Sequence, residues 1–206
     1  IIPAADRPNL DYFDDGVRVN NTFNKVAVIG IEYDRNTEFR TYFDAAGRPM
    51  KNDSGVYGTK IVRRDGTLVV TNLDRNMTPM ENVDGFSSII YEPDYRGRNA
   101  TGVYLNLEGS QVMTKDGYWV STRRYDHNDN VVEHANYNNN NQLINNADGI
   151  AITMYVYDEM NNLVRVSYFD SDHQLTEDQY GVASYHVTFD RNGFILMEYY
   201  RDKEDR

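Results

Sequence analysis

Three registers of residues return along this chain every 30 to 32 positions, and a chain built that way has to fold as copies of one small unit. The first register is aromatic-aromatic-acid, seen at Tyr12-Phe13-Asp14, Tyr42-Phe43-Asp44 and Tyr168-Phe169-Asp170. Looser copies lie between them at Asn72-Leu73-Asp74, Tyr104-Leu105-Asn106 and Asn136-Tyr137-Asn138, and Tyr200-Arg201-Asp202 starts a seventh. The second is an inner Asp at 34, 65, 94, 126, 158 and 190, which falls 20 or 21 residues after each first anchor. The third is a glycine 11 residues after the anchor, at Gly55, Gly85, Gly117, Gly149 and Gly181, with Lys25 in its place in the first unit. The units are therefore 12–41, 42–71, 72–103, 104–135, 136–167 and 168–199. Residues 1–11 are a lead-in, 200–206 are the start of a further unit or a tail, and 1–206 reads as a single repeat domain.

Each unit reads as two strands. The first follows the glycine, as in 149–157, where β-branched and aromatic residues dominate over an ordinary strand length. The second follows the inner Asp, as in 163–169 and 194–200. Between them Asn162 or Gly193 supplies the residue with φ > 0 that a short hairpin loop needs, and Asp65-Gly66 makes a tighter turn in the second unit. The longer loop from anchor to glycine carries an apolar residue or Pro at Pro49, Pro79, Leu143 and Leu175, and the repeat predicts that it is ordered even across the Asn-rich stretch 138–146. The fold class is all-β: an antiparallel β-hairpin array of about twelve strands, an elongated meander or β-solenoid, in which each unit leans on the next. No segment keeps a helical apolar period. Lys25, the lead-in with Pro3 and Pro8, and the charged tail at 201–206 fit caps or cuts through a longer array.

The composition follows from the unit. Seventeen Tyr and 8 Phe mark strand positions, while 23 Asn and 14 Gly mark turns. With 32 acidic against 21 basic side chains the net charge is −11, which argues against nucleic acid as a partner. The absence of Cys excludes disulfides, thiolate metal sites and a Cys nucleophile. No apolar run approaches the roughly 18 residues of a membrane span. A start at Ile1 rather than Met suggests a processed or excised segment.

The string Gly149-x5-Tyr155-x-Tyr157-Asp158-x2-Asn161-Asn162-Leu163 resembles the YD repeat of Rhs and teneurin-type proteins. The companion Tyr-Phe-Asp-x-x-Gly-x-Pro at 42–49 is similar to the aromatic β-hairpin repeats of bacterial cell-wall-binding modules and clostridial toxin tails, a resemblance that implies carbohydrate binding. It also resembles β-meander domains attached to some bacterial glycosyltransferases, which implies help in holding an acceptor.

Flat aromatic rings with a polar tip suit stacking on sugars. Trp119 is the first ligand candidate, because its equivalents Tyr57, Ser87, Ala151 and Ala183 do not predict it, and Tyr118, Tyr155 and Tyr185 accompany it. Most other tyrosines recur in register, as core residues do. The alternating oxygens of Asp126-x-Asn128-x-Asn130 and Asp170-x-Asp172 imitate the start of a Ca²⁺ loop, but Val131 stands where the loop Gly belongs and Tyr137 where its bidentate Glu belongs, so turns are the expectation. The His residues at 127, 134, 173 and 186 lack metal-site spacing, Gly55 and Gly58 are not a phosphate loop, and no carboxylate pair stands out as catalytic. The expectation is a non-catalytic, extracellular or cell-surface module without a cofactor, binding a glycan or cell-wall polymer. The alternatives are a scaffold that binds another protein, and an acceptor-recognition domain of a glycosyltransferase.

Overall fold

The computed structural model describes residues 26–206 and, before them, only the backbone of three short strands: β1 (Asn9–Asp11), β2 (Phe13–Asp14) and β3 (Val17–Arg18). Pro3, Pro8, Tyr12 and Lys25 lie outside the described residues. Six hairpins follow: β4 (Val28–Asp34) with β5 (Thr37–Phe43), β6 (Gly58–Arg64) with β7 (Thr67–Leu73), β8 (Ser88–Pro93) with β9 (Asn99–Leu105), β10 (Val120–Tyr125) with β11 (Val131–Tyr137), β12 (Ile152–Tyr157) with β13 (Leu163–Phe169), and β14 (Ser184–Phe189) with β15 (Ile195–Arg201). These twelve strands form one open antiparallel sheet in chain order, β1 adds beside β4, and β2 pairs with β3 separately. The fold is the open meander of the two expected forms. It contains no helix among the described residues, hence none long and apolar enough to cross a membrane.

The chain forms two compact units, residues 1–98 with 103–112, and residues 99–102 with 113–206. In the first, Val26, Ile29, Ile31, Tyr42 and Val56 are buried together, with Met50 and Met80 packed on them. In the second, Ala135, Ala151 and Ile152 are buried beneath Tyr137, Leu143 and Phe169. A single-layered sheet leaves its faces to water unless something covers them, and Met50, Met80 and Leu143 are loop residues. The long loops are therefore ordered because they supply the second layer of the core. Each starts with a bridge back to its own strand, Phe43↔Pro49, Leu73↔Pro79, Leu105↔Gln111, Tyr137↔Leu143 and Phe169↔Leu175.

One five-residue turn recurs at both predicted anchors. At Asp158 the side-chain Oδ1 accepts the N–H groups of Met160 and Asn162 at 3.0 and 2.8 Å, and the main-chain carbonyl accepts Asn161 N–H at 3.0 Å. Asp94, Asp126 and Asp190 close their hairpins the same way, and Asp44, Asp74, Asn138, Asp170 and Asp202 do so in the long loops. The left-handed residue is the third after the anchor, so it is Asn161 (φ 70°) and not Asn162, while Gly193 (φ 84°) stands as expected. A third copy of the turn, not among the sequence expectations, precedes the repeat glycines. Asn52, Asn82, Thr114, Asn146 and Asp178, each three residues before a repeat glycine, accept that glycine's N–H on their carbonyl at 2.9–3.2 Å. An Asx or Thr at that fixed offset was the signal.

The change of period from 30 to 32 has a local cause. Asp34↔Thr37 and Arg64↔Thr67 close their hairpins with two-residue loops, whereas the last three hairpins use the Asp turn and carry a bulge, as between Val156 and Tyr157. Asp34 is thus the end of β4 and aligns with Arg64. A two-residue loop has no room for an Asp turn, and the inner anchor of the first unit is a coincidence of spacing.

Hydrogen bonds from the Asn162 side chain first, then from its N–H and that of Met160, hold the Asp158 carboxyl below the usual carboxylate range. A carboxyl whose folded pKa is depressed contributes stability above its unfolded pKa and loses it as pH falls through the folded value. Asn138 fills the same role in a long loop. Asp158→Asn is therefore expected to leave stability at neutral pH little changed and to make the loss of stability below about pH 4 shallower. Urea midpoints measured from neutral to acid pH check this, and an unchanged acid slope would contradict it.

Candidate functional site

The second compact unit carries a groove lined with tyrosines. Val166, Tyr168, Asp178, Tyr180, Val182, Tyr185 and Tyr200 enclose about 470 Å³ on one face of the sheet. Strand pairing places most of them. Val166 faces Tyr185, Tyr185 faces Tyr200, and cross-strand partners share a face. The rings of Tyr185 and Tyr200 lie 5.0 Å apart, tilted by 32°. Tyr180 is set by the Asp178 turn, whose Oδ1 accepts its N–H at 2.9 Å, and its ring is 81% exposed. Tyr200 is 60% exposed.

The Tyr185 hydroxyl donates to Glu198 Oε2 at 2.9 Å, and this bond to the protonated form pushes its pKa up. Burial raises that of Tyr168. The groove is apolar in its walls, and the carboxylate that lines it, Asp178, already accepts the N–H groups of Tyr180 and Val182. Such a surface can stack on and hydrogen-bond to a ligand.

One of the four predicted ligand residues is in the groove, and a second lies on the same face of the sheet. Tyr185 lines the groove, and Tyr155, opposite Val166 on the other side, shares its face. Burial raises the Tyr155 phenol as well. Trp119 and Tyr118 lie elsewhere and do not line the groove. Trp119 is half-buried, donates its N–H to Tyr137 O at 2.9 Å, and holds the repeat position where Ala151 and Ala183 are fully buried. Tyr118 holds the position of buried Val56, Phe86 and Ile150. Sequence reasoning missed Tyr180. Its equivalents are Ser54, Asp84, Asp116 and Asp148, so the departure from the repeat that singled out Trp119 would have singled it out too.

On the opposite face a second cavity of about 440 Å³ is bounded by Glu133, Tyr137, Leu143, Ile152, Phe169 and His173. Glu133 is engaged by Arg124 at 2.8 Å, and His173 is the left-handed residue of the Asp170 turn. The Ca²⁺-like strings are turns. Asp126 Oδ1 accepts the N–H groups of Asn128 and Asn130 at 2.8 and 2.9 Å, and Asp170 Oδ1 accepts those of Asp172 and Gln174 at 2.9 Å. Among the described residues one further acidic group, Glu177, Asp202 and Glu204, brings its oxygens within 4.8 Å. Glu177 accepts Lys203 N–H at 3.1 Å and Asp202 caps its own turn. No protein-family profile matches this chain, and no curated protein sequence matches it.

Proposed function

We propose that this chain is a non-catalytic binding module that acts at the bacterial cell surface and holds a glycan or cell-wall polymer against the tyrosine groove. The observation that carries this reading is the cluster of Tyr168, Tyr180, Tyr185 and Tyr200, two of them well exposed, beside Val166 and Val182. The apolar face of a pyranose packs on such rings, and its hydroxyls find phenolic partners at the rim. The net charge of −11 favours an uncharged saccharide over a polyanion. The resemblance to cell-wall-binding repeats supports the same class of ligand.

A glycan array followed by titration calorimetry tests the reading. Tyr180→Ala is expected to weaken saccharide binding about tenfold, the worth of one stacked ring, without moving the melting temperature. Tyr185→Ala should weaken it further, since it also strips the partner from Glu198. A loss confined to Trp119→Ala would move the site to Trp119, and no binding to any saccharide or wall polymer would overturn the proposal.

A further inference from the structure

Across the face that carries the groove, one row of cross-strand partners runs from Tyr168 back through Thr153 and His134 to Arg123, on four adjacent strands. Cross-strand partners share a face, and at the usual strand spacing the row is about 14 Å long. Tyr168 walls the groove at one end of the row, and Arg123 stands at the other. Tyr155, two residues beyond Thr153, lies beside the row, near enough for the Arg123 guanidinium to act on its phenol.

Arg123 breaks two patterns. The residue six after the turn glycine is Ile61, Tyr91, Tyr155 or Val187 in the other units that have one, and Ile61 and Val187 are buried. Arg123 puts a cation into that apolar column. The other half-buried arginines among the described residues each hold a carboxylate: Arg40 that of Glu38 at 2.6 Å, Arg98 that of Asp94 at 2.5 Å and Arg201 that of Asp205 at 2.5 Å. Arg123 is half-buried as well, and among the described residues neither a carboxylate nor a hydrogen-bond acceptor engages it. Its cross-strand neighbour is in the same condition. His134 Nε2 is buried without a hydrogen-bond partner, and so is Oδ1 of Asn136, two residues on along that face. A half-buried charge and buried polar atoms without partners cost stability, and folds carry such a cost where a ligand supplies the partner.

We infer that Arg123 is an anion subsite at the end of the tyrosine face, with His134 and Thr153 beside it, and takes the acid group of a saccharide whose rings lie over Tyr155 and Tyr168. A guanidinium matches the paired oxygens of a carboxylate or a phosphate, so the acid group is one of these. One guanidinium in a chain of net charge −11 suits a single acid group on an otherwise neutral saccharide, not a polyanion. This assignment rests on the reading of the groove as a saccharide site and adds an acid group to its ligand.

The test measures binding of the full chain to an array of neutral saccharides and of the same saccharides carrying a carboxylate or a phosphate, which also tells the two groups apart. One acidic set is expected to bind about tenfold more tightly than its neutral counterpart, and added salt should shrink the difference. Arg123→Gln should remove the preference, and the Ile, Tyr and Val of the other units show that the fold needs no charge at this position. Arg123→Lys keeps the charge without the planar fork and should restore part of the preference. If neutral and acidic saccharides bind alike, or if a preference survives Arg123→Gln, the subsite is overturned and the groove reading stands. If no saccharide binds, the groove reading falls, and titration with acetate and with inorganic phosphate decides the subsite alone. A saturable shift of the Arg123 Nε–H resonance with either anion then sustains it, and no shift overturns it.

Discussion

Gly58→Ala is expected to destabilise the fold by about 3 kcal/mol, lowering the melting temperature by roughly 10 °C. Gly58 opens β6 and faces Thr41 of β5. A Cβ built on it overlaps the carbonyl oxygen of Arg40, and backbone cannot swing aside as a side chain can. The paired strands would have to separate where the first core cluster, with Val56 at 1% exposure, is sealed. Gly47→Ala is the matched control. Its Cβ meets nothing within 4 Å, so only the cost of φ +76° remains, about 1 kcal/mol. Urea denaturation of both variants checks the pair, and a Gly58→Ala loss no larger than that of Gly47→Ala would show that β5 and β6 adjust freely.

His134→Val should stabilise the protein, and increasingly so in acid. Burial, with Arg123 beside it, pushes the His134 imidazole down to about 4, and its Nε2 is buried without a hydrogen-bond partner among the described residues. The groups facing it across the sheet are Arg123 and Thr153, so no carboxylate stands directly opposite to favour the charged form. A histidine whose folded pKa lies below its unfolded value of about 6.5 costs nothing by titration above that value. Between about pH 6.5 and pH 4 the unfolded chain takes up the proton and the folded chain does not, so stability falls with pH by up to about 3 kcal/mol. The equivalent residue in the next unit is Val166, which is buried. His134→Val is therefore expected to gain about 1 kcal/mol at neutral pH by removing the unpaired polar atom, and about 3 kcal/mol more near pH 4. Unfolding free energies of the two proteins at pH 7 and pH 4 decide it, and a difference independent of pH would mean that His134 takes up its proton equally in the folded and unfolded chains.

The loose copies in the repeat acquire a reason once the backbone is seen. The anchor column alternates Tyr42, Asn72, Tyr104 and Asn136, and all four are buried. Asn72 Nδ2 donates to Phe86 O at 3.1 Å and Asn136 Nδ2 to Ile150 O at 3.2 Å. A short amide can replace a large ring there because it hydrogen-bonds to the adjacent glycine turn. A copy that is degenerate in aromatic identity is, in the fold, the second of two solutions to one buried position.

The sequence by itself determined the unit, its number of copies, the all-β class, the second strand Leu163–Phe169 and the turn role of the anchoring Asp and Asn residues. These are local properties. Strand alternation, left-handed turn residues and Asx caps are satisfied within a few residues, so the order of residue types records them. Only the tertiary structure decided which aromatics share a face, that Leu143 and Met50 are core, and that Tyr180, Tyr185 and Tyr200 converge while Trp119 lies apart. Those outcomes depend on register between strands some 15 to 20 residues apart and on how far each loop folds back over the sheet. A one-residue shift exchanges the two faces, and no stretch of sequence short enough to carry a motif specifies that register.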